Sequence, residues 1–446
     1  MRTRSCKISN TTVRPTKISP ARVSAFEVLS KIETERAFSS ILLPTHGSRL
    51  NDLDRNLCYE LTLGVLRKQI YLDRLITELS KNKKLDSAVA IALRLGIYQL
   101  LFLDRIPAYS AINESVELVA RARKTSAKGF VNAILRRISK GNVEIHYADN
   151  VDKISVETSH PRWLIEHWAS VFGLKGAFSV AEANNLPPGL TFRLTAKASS
   201  GRLENPDEWK PCSHVEGCVS VDRASPSLIR LAESGEIYFQ DEGSQLVASA
   251  IRLGVNERFL DVCAAPGSKT TMIASGSSDR SALIVAGDLH RRRVGTLQDN
   301  CITQGVKHVN FVQYDASREL PFAEGSFDVV LVDAPCSGTG TIAHNPEIRY
   351  FLAHGDFQEF QRKQLSILGN ASKMVKPKGR LVYSTCSLER DENEEVCEIF
   401  ISNSGLFSSV KPAVPDRFLT SENFARTFPP RDRMDGFFIA EFKRAA

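Results

Sequence analysis

The chain has 446 residues, 42% hydrophobic and 24% charged, which suits a folded globular protein of about three domains at roughly 150 residues each. No apolar run approaches the ~18 residues needed to span a bilayer, so neither a spanning helix nor a membrane partner is expected. The net charge of +7 is lopsided: residues 1–145 hold 25 Lys+Arg against 13 Asp+Glu and the rest 33 against 38, which suggests an anionic polymer held at the front.

Arg2, Arg4, Lys7, Arg14 and Lys17 precede the first acid, Glu27. With no clear amphipathic helix or cleavage pattern, they read as a basic tail in preference to a transit peptide. Ser19 and Pro20 place an N-cap and an N1 proline before Val23, Phe26, Leu29 and Ile32, which share one helical face. Leu53, Leu57, Leu61 and Val65 recur every four residues, and 87–103 is apolar nearly all round, as the central helix of a bundle would be. Helices over 111–119 and 130–138 complete an all-α domain spanning 18–142. Residues 118–143 contain no acid but carry Arg121, Arg123, Lys124, Lys128, Arg136, Arg137 and Lys140, which predicts a phosphate-binding surface in preference to a merely solvated face.

A small α+β linker domain is expected over 146–235. Pro161 can open a helix bearing Trp163, Leu164 and Trp168, and Asn184 to Pro188 break the chain before a strand at Leu190 to Leu194. Cys212, His214 and Cys218 fall short of the four ligands of a structural zinc site, so no metal is expected. Cys58, Cys301 and Cys397 lie in helical patterns and read as small core residues. Nine cysteines scattered singly lack the spacing of a disulfide framework and point to a reducing compartment, taken as the cytoplasm.

From 236 to 446 strands and helices alternate, predicting an α/β, Rossmann-like, doubly wound sheet. The strands are 259–262, 283–286, 309–313, 328–332, 380–383 and 437–442, and Asp356 with Glu359 has capping-box spacing. The first strand ends at Asp261 and turns through Cys263, Ala264, Ala265, Pro266, Gly267, Ser268 and Lys269 into a helix. Small residues there let the backbone approach a ligand. The spacing is not that of a phosphate loop, because Val262 stands where the first glycine would be. Asp288 ends the second strand, where an acid can bond ribose hydroxyls, and Asp315 follows the third, where one can accept from an adenine amine. Together these favour a nucleoside ligand without a polyphosphate. The continuous apolar strand 328–332 stops at Asp333, Ala334, Pro335 and Cys336, and 379–383 stops at Ser384, Thr385 and Cys386. Two cysteines at the ends of two strands of one sheet could meet over one ligand.

The string Asp261–Thr270, Asp-Ala-Pro-Cys-Ser-Gly at 333–338 and Ser-Thr-Cys-Ser at 384–387 resemble the motifs of RNA 5-methylcytosine methyltransferases. Leu95–Leu100, Val131–Arg137, Ser159–Trp163 and Asp435–Phe438 extend the likeness over nearly the whole chain, to the bacterial RsmB/Sun-type family of 16S ribosomal RNA (cytosine-5) methyltransferases with a NusB-like N-terminal domain. The sequence departs from the family pattern at Ser268 (glycine), at Ala343 and His344 (commonly arginines) and at Leu194-Thr195 (Val-Asn).

The resemblance implies S-adenosylmethionine as cofactor and unassembled 16S ribosomal RNA as partner, with the protein a monomer. It assigns attack on carbon 6 of cytosine to Cys386 and product release to Cys336. Asp333 lies beside both, and Lys269 either lowers a thiolate pKa or holds Asp333. A DNA-type enzyme would attack from the Pro-Cys motif and would not need Cys386. The remaining alternatives are a methyltransferase for another RNA such as tRNA, and a non-enzymatic assembly or antitermination factor, which would be expected to have lost a cysteine or the loop.

Overall fold

The computed structural model describes residues 18–141, 143–198, 209–277 and 282–446; the basic tail lies outside them. The chain forms two compact units, Met1–Glu166 and His167–Ala446. The first is all-helical: α1 (Pro20–Glu35), α2 (Ser39–Gly47), α3 (Asp52–Ser80), α4 (Ser87–Phe102), α5 (Ala108–Arg121), α6 (Lys128–Ser139) and α7 (Asn150–Thr158). Helix α4 buries Val89, Ile91, Ala92, Leu93, Leu95 and Ile97, positions that run round its circumference, and it packs on α1, α3, α5 and α6. Gly96 allows that closeness: a Cβ there would lie 2.7 Å from Leu135 of α6.

In this unit one local expectation stands with an unexpected side-chain partner and two are corrected. Ser19 stands at the N-cap of α1, but its hydroxyl accepts from Arg22 at 2.9 Å and not from a backbone N–H. Arg22 is buried, and its guanidinium also needs Gln99 (2.7 Å) and Glu114 (3.1 Å). Leu53 belongs to the first turn of α3 and is 84% exposed, so the buried face begins at Cys58, with Leu57 half-buried before it. Of the seven bases over 118–143, three meet acids from other elements: Arg121 with Glu27, Lys124 with Asp86 and Lys128 with Glu117. Among the described residues no acid pairs with Arg123, Arg136, Arg137 or Lys140, so the unopposed charge lies on α6 and at its two flanks.

Helix α8 (Arg162–Ala183) follows Pro161, with helical angles broken at Gly173 (φ 69°). A small antiparallel sheet of order β2-β3-β1-β4 comprises β1 (Leu190–Leu194), β2 (Lys210–Pro211), β3 (Cys218–Val221) and β4 (Ile237–Phe239); α9 (Pro226–Ser234) precedes β4 and α10 (Glu242–Ser249) follows it. The large sheet comes next: β5 (Phe259–Asp261), α11 (Ser268–Gly276), β6 (Ile284–Asp288), α12 (Arg291–Thr303), β7 (Val309–Gln313), β8 (Phe327–Asp333), α13 (Ile348–Phe351), α14 (Asp356–Met374), β9 (Val375–Thr385), α15 (Glu394–Ser404), β10 (Phe407–Val410), β11 (Ala425–Arg426), α16 (Pro429–Asp432) and β12 (Phe438–Arg444).

Its order is β10-β12-β9-β8-β5-β6-β7, with β11 beside β12. Strands β5 to β9 pair in parallel, while β12 runs antiparallel between β9 and β10. Chain order reverses between β5 and β8, where such sheets bind ligands. Strand β8 explains its unbroken apolar run: Val329 and Leu331 enter the core on one face, Val330 and Val332 the core on the other. The capping box at Asp356 does not form. Gly355 is the N-cap, and the Asp356 carboxylate accepts from Ala353 N–H at 2.9 Å, closing the turn before the helix.

Candidate active site

The residues from Asp261 to Lys269 wrap the end of β5. Gly267, at φ 105°, turns the chain into α11. The loop is fastened from outside: Arg293 donates to the Ala265 carbonyl at 2.7 Å, and Asn300 to that of Pro266 at 2.8 Å. Cys263 and Ala264 line its start, where Ala264 N–H donates to Gly287 O at 2.8 Å. Ser268 opens α11, and its carbonyl accepts from Arg193 of β1 at 3.2 Å. Arg193 is buried and also bonds Gln240, Thr271 and Gln304. Burial lowers its pKa to about 10.

Asp288 is buried at the end of β6, where its carboxylate accepts from Ala265 N–H at 3.3 Å and faces Arg293 at 3.4 Å. Asp315, two residues past β7, accepts from both the hydroxyl (2.6 Å) and the N–H (3.0 Å) of Ser317, which hold its pKa below the usual range. Asp261 accepts from Thr270 at 2.6 Å through one oxygen, while the other is buried without a partner, and desolvation raises its pKa to about 7.

At the ends of β8 and β9 the two cysteines meet: Cys336 Sγ lies 3.4 Å from Cys386 Sγ. The hydrogen bond to Cys386, then burial, push the Cys336 thiol well above its ordinary pKa. Asp333 accepts from Lys269 at 2.7 Å and from Ser384 at 2.7 Å, one oxygen to each. The Lys269 ammonium thus holds Asp333, and it also interacts electrostatically with Cys386. The Lys269 ammonium also sits 5.0 Å from the centre of the Phe437 ring.

Glu392 was not singled out from the sequence. It is fully buried beneath both cysteine loops and accepts from Ser337 N–H (2.8 Å), the Ser337 hydroxyl, the Ser387 hydroxyl (2.7 Å) and Gln364 (3.0 Å). Burial still raises its pKa. The loops are also laced through backbone: Gly340 N–H donates to Cys386 O at 2.9 Å, and Gly436 N–H to Gly340 O at 2.8 Å. A cleft of about 780 Å³ opens beside this lacing, between Pro187, Gly340, Asp241, Arg433 and Asp435. There His344 meets Asp435 at 3.0 Å, and burial, then Asp435, raise Asp241 to about 7.

A sheet of this order, with a small-residue loop and acids at the ends of adjacent strands and no phosphate loop, defines an S-adenosylmethionine-dependent methyltransferase, here preceded by a NusB-type helical unit. Residues 248–443 match the family profile described as 16S rRNA methyltransferase RsmB/F, and residues 19–140 that of the NusB family. The probable ribosomal RNA small subunit methyltransferase B of Bacillus subtilis is 32% identical over 96% of this chain and 99% of its own. A crystal structure of a methyltransferase homologue from Pyrococcus horikoshii is 26% identical, with TM-score 0.56, over 67% of this chain and 99% of that one. The crystal structure of PH0851 shares the fold at 24% identity and TM-score 0.82, over 97% of this chain and 100% of that one. The chain belongs to the ribosomal RNA small subunit methyltransferase B family.

The residues present fit S-adenosylmethionine. The loop carries no side chain larger than proline between Cys263 and Ser268, and a Cβ at Gly287 would strike the Tyr314 ring at 2.3 Å, so β6 must stay bare beside it. Among the described residues no helix is long and apolar enough to cross a membrane.

Proposed function

We propose that the protein methylates carbon 5 of a cytosine in unassembled 16S ribosomal RNA, working as a monomer in the cytoplasm through a covalent bond between Cys386 and the base. The observation that carries the reading is the 3.4 Å approach of two sulfurs from two different strands, with Asp333 held beside them by Lys269 and Ser384. Carbon 5 of cytosine is a weak nucleophile, and a thiolate added at carbon 6 makes it enamine-like.

Attack requires the Cys386 sulfur as thiolate, with the Cys336 sulfur 3.4 Å away. Asp333 has fixed oxygens to bond the ring during that attack. Asp288 and Asp315 would hold the ribose and adenine of the cofactor, with the loop from Cys263 to Lys269 beside it. When bound, S-adenosylmethionine supplies the methyl group as an electrophile. Afterwards the proton on carbon 5 must be taken up as the carbon 6–sulfur bond breaks and the thiolate of Cys386 leaves. Cys336, 3.4 Å from the departing sulfur, takes that proton and so enters the step as thiolate.

The two roles fall on opposite sides of one intermediate, and this sets the test. Cys386→Ala is expected to abolish methylation and leave no protein–RNA adduct. Cys336→Ala is expected to permit attack and transfer but hinder release, so that an adduct surviving denaturing electrophoresis accumulates when cofactor is present. The reverse pattern would exchange the roles. Bisulfite sequencing of 16S ribosomal RNA from cells with and without the gene identifies the base, and an unchanged small-subunit profile would sink the substrate assignment.

A further inference from the structure

The turn between β2 and β3 brings two cysteines face to face, and α10 adds a carboxylate. Lys210 pairs with Ser220 and Pro211 with Val219, so the next positions, Cys212 and Cys218, oppose each other, and Cys212 N–H donates to Cys218 O at 2.9 Å. Their sulfurs lie 2.8 Å apart, inside the separation of two unbonded sulfur atoms. A carboxylate oxygen of Glu242, first residue of α10, completes a group whose donor atoms all lie within 4.8 Å of one another. The absence of metal expected from the sequence weighed only the ligands between 212 and 218. Glu242 comes from another element, and no local spacing announces it.

We propose that Cys212, Cys218 and Glu242 bind a thiophilic divalent cation, zinc being the metal that suits two sulfurs and one oxygen. Zinc takes sulfur at about 2.3 Å and carboxylate oxygen at about 2.0–2.2 Å, which puts two tetrahedral thiolate sulfurs roughly 3.7 Å apart. The pair therefore has to open by roughly 1 Å, which rotation of the partly exposed Cys212 side chain supplies. Each ligand bears on the choice of cation. Two thiolates select a soft metal over calcium or magnesium. Gln245 Nε2 donates to the Cys218 sulfur at 3.2 Å, the outer contact expected of a ligating thiolate. A disulfide would use the same sulfurs but gives Glu242 no part.

His214 is not a ligand. Its ring stands edge-on to Phe418, and its Nε2 faces Arg417 at 3.3 Å. Its backbone N–H instead donates to Glu242 at 2.9 Å, orienting the carboxylate. With three protein donors the fourth position falls to water, and the cation is exchangeable. Its effect is to pin the β2–β3 turn to the start of α10. The adjoining Asp241 accepts from Gly243 N–H at 2.8 Å and Asp435 N–H at 3.2 Å, so the cation steadies the segment that Gly436 laces to the Cys386 loop.

The test uses full-length protein, stripped with a chelator under reducing conditions and titrated with Zn²⁺ alone. Elemental analysis is expected to give one zinc per chain. Glu242→Gln, which keeps both thiols, should weaken binding about tenfold, and Cys212→Ser or Cys218→Ser at least about a hundredfold, the range over which groups around a metal tune its affinity. Cobalt in place of zinc should give a thiolate charge-transfer band that either serine variant removes and the paired variant Cys336→Ser, Cys386→Ser retains. Circular dichroism shows which variants remain folded, and Cys212→Ser at the partly exposed position serves if Cys218→Ser does not. Failure to bind stoichiometric zinc, or zinc that survives in a folded Cys212→Ser protein, overturns the site. So does metal-free protein whose 212–218 peptide is two hydrogens lighter, the mark of a disulfide.

Discussion

Glu392 shows how much of a catalytic site can rest on a residue that touches no substrate. One carboxylate holds Ser337, next to Cys336, and Ser387, next to Cys386, so it fixes the separation of the two sulfurs. Glu392→Gln replaces an acceptor by a donor facing donors and should lower kcat by about 10²-fold through sub-ångström displacement, with cofactor affinity nearly unchanged. Single-turnover methylation and calorimetry separate the two. Titration makes a second residue-scale prediction. Asp241 and Asp261 have folded pKa values raised to about 7, so between about pH 4 and 7 the folded state holds protons that the unfolded chain has released. Stability contributed by these groups is therefore lost as pH rises through that window, and His167, raised by its bond to Glu389, acts in the same sense. Urea midpoints at pH 5 and pH 7.5 should differ in that direction, and Asp261→Asn should narrow the gap.

At the scale of elements, the crossing of Gly340 and Gly436 closes the cysteine loops. A Cβ at Gly340 would lie 2.1 Å from the Gly436 carbonyl oxygen and 2.9 Å from that of Cys386, both backbone atoms that no rotamer can move. Gly340→Ala should therefore cost at least about 10²-fold in methyl transfer by shifting Cys386, a displacement of the kind that misaligns reacting atoms. RNA binding should fall far less, as filter binding can check. The sheet was legible because its strands are apolar runs that stop at polar groups, and that same stop located Asp333, Cys336 and Cys386. Less was legible where a residue's partner comes from another element. Ser19 and Asp356 carry the right local signatures yet spend their side chains elsewhere, Ser19 on Arg22 and Asp356 on the preceding turn. Strand β10, Phe-Ser-Ser-Val, has neither a long apolar run nor strict alternation and is a strand because β12 pairs with it. Glu392 and Glu242 have no signal in spacing at all.

For the molecule as a whole, the charge asymmetry becomes a surface once ion pairs are removed. Arg123, Arg136, Arg137 and Lys140 are the bases of that stretch left without an acid among the described residues, and they lie on α6 and at its two flanks. Replacing all four with alanine in the full-length protein should weaken RNA binding and flatten its salt dependence. The log–log slope should drop by about 0.7 for each single-strand phosphate that is no longer neutralised. Replacing the paired Arg121, Lys124 and Lys128 instead should change the slope less, and equal effects of the two sets would mean that ion pairing does not set the surface.

Strand β12 has a consequence for how the protein is made. It lies inside the large sheet, between β9 and β10, yet it is translated after both. While the ribosome is still adding those residues, β9 and β10 have no common neighbour, and each offers a row of unpaired backbone groups to any passing strand. Phe437, beside the Lys269 ammonium, and Gly436, which ties the Cys386 loop, emerge just ahead of β12. The nascent chain can thus build its helical unit and its first parallel strands early, but it becomes a complete sheet and a closed site in a single late event. Chaperone capture during synthesis should accordingly concentrate on chains stalled between Val410 and Phe438.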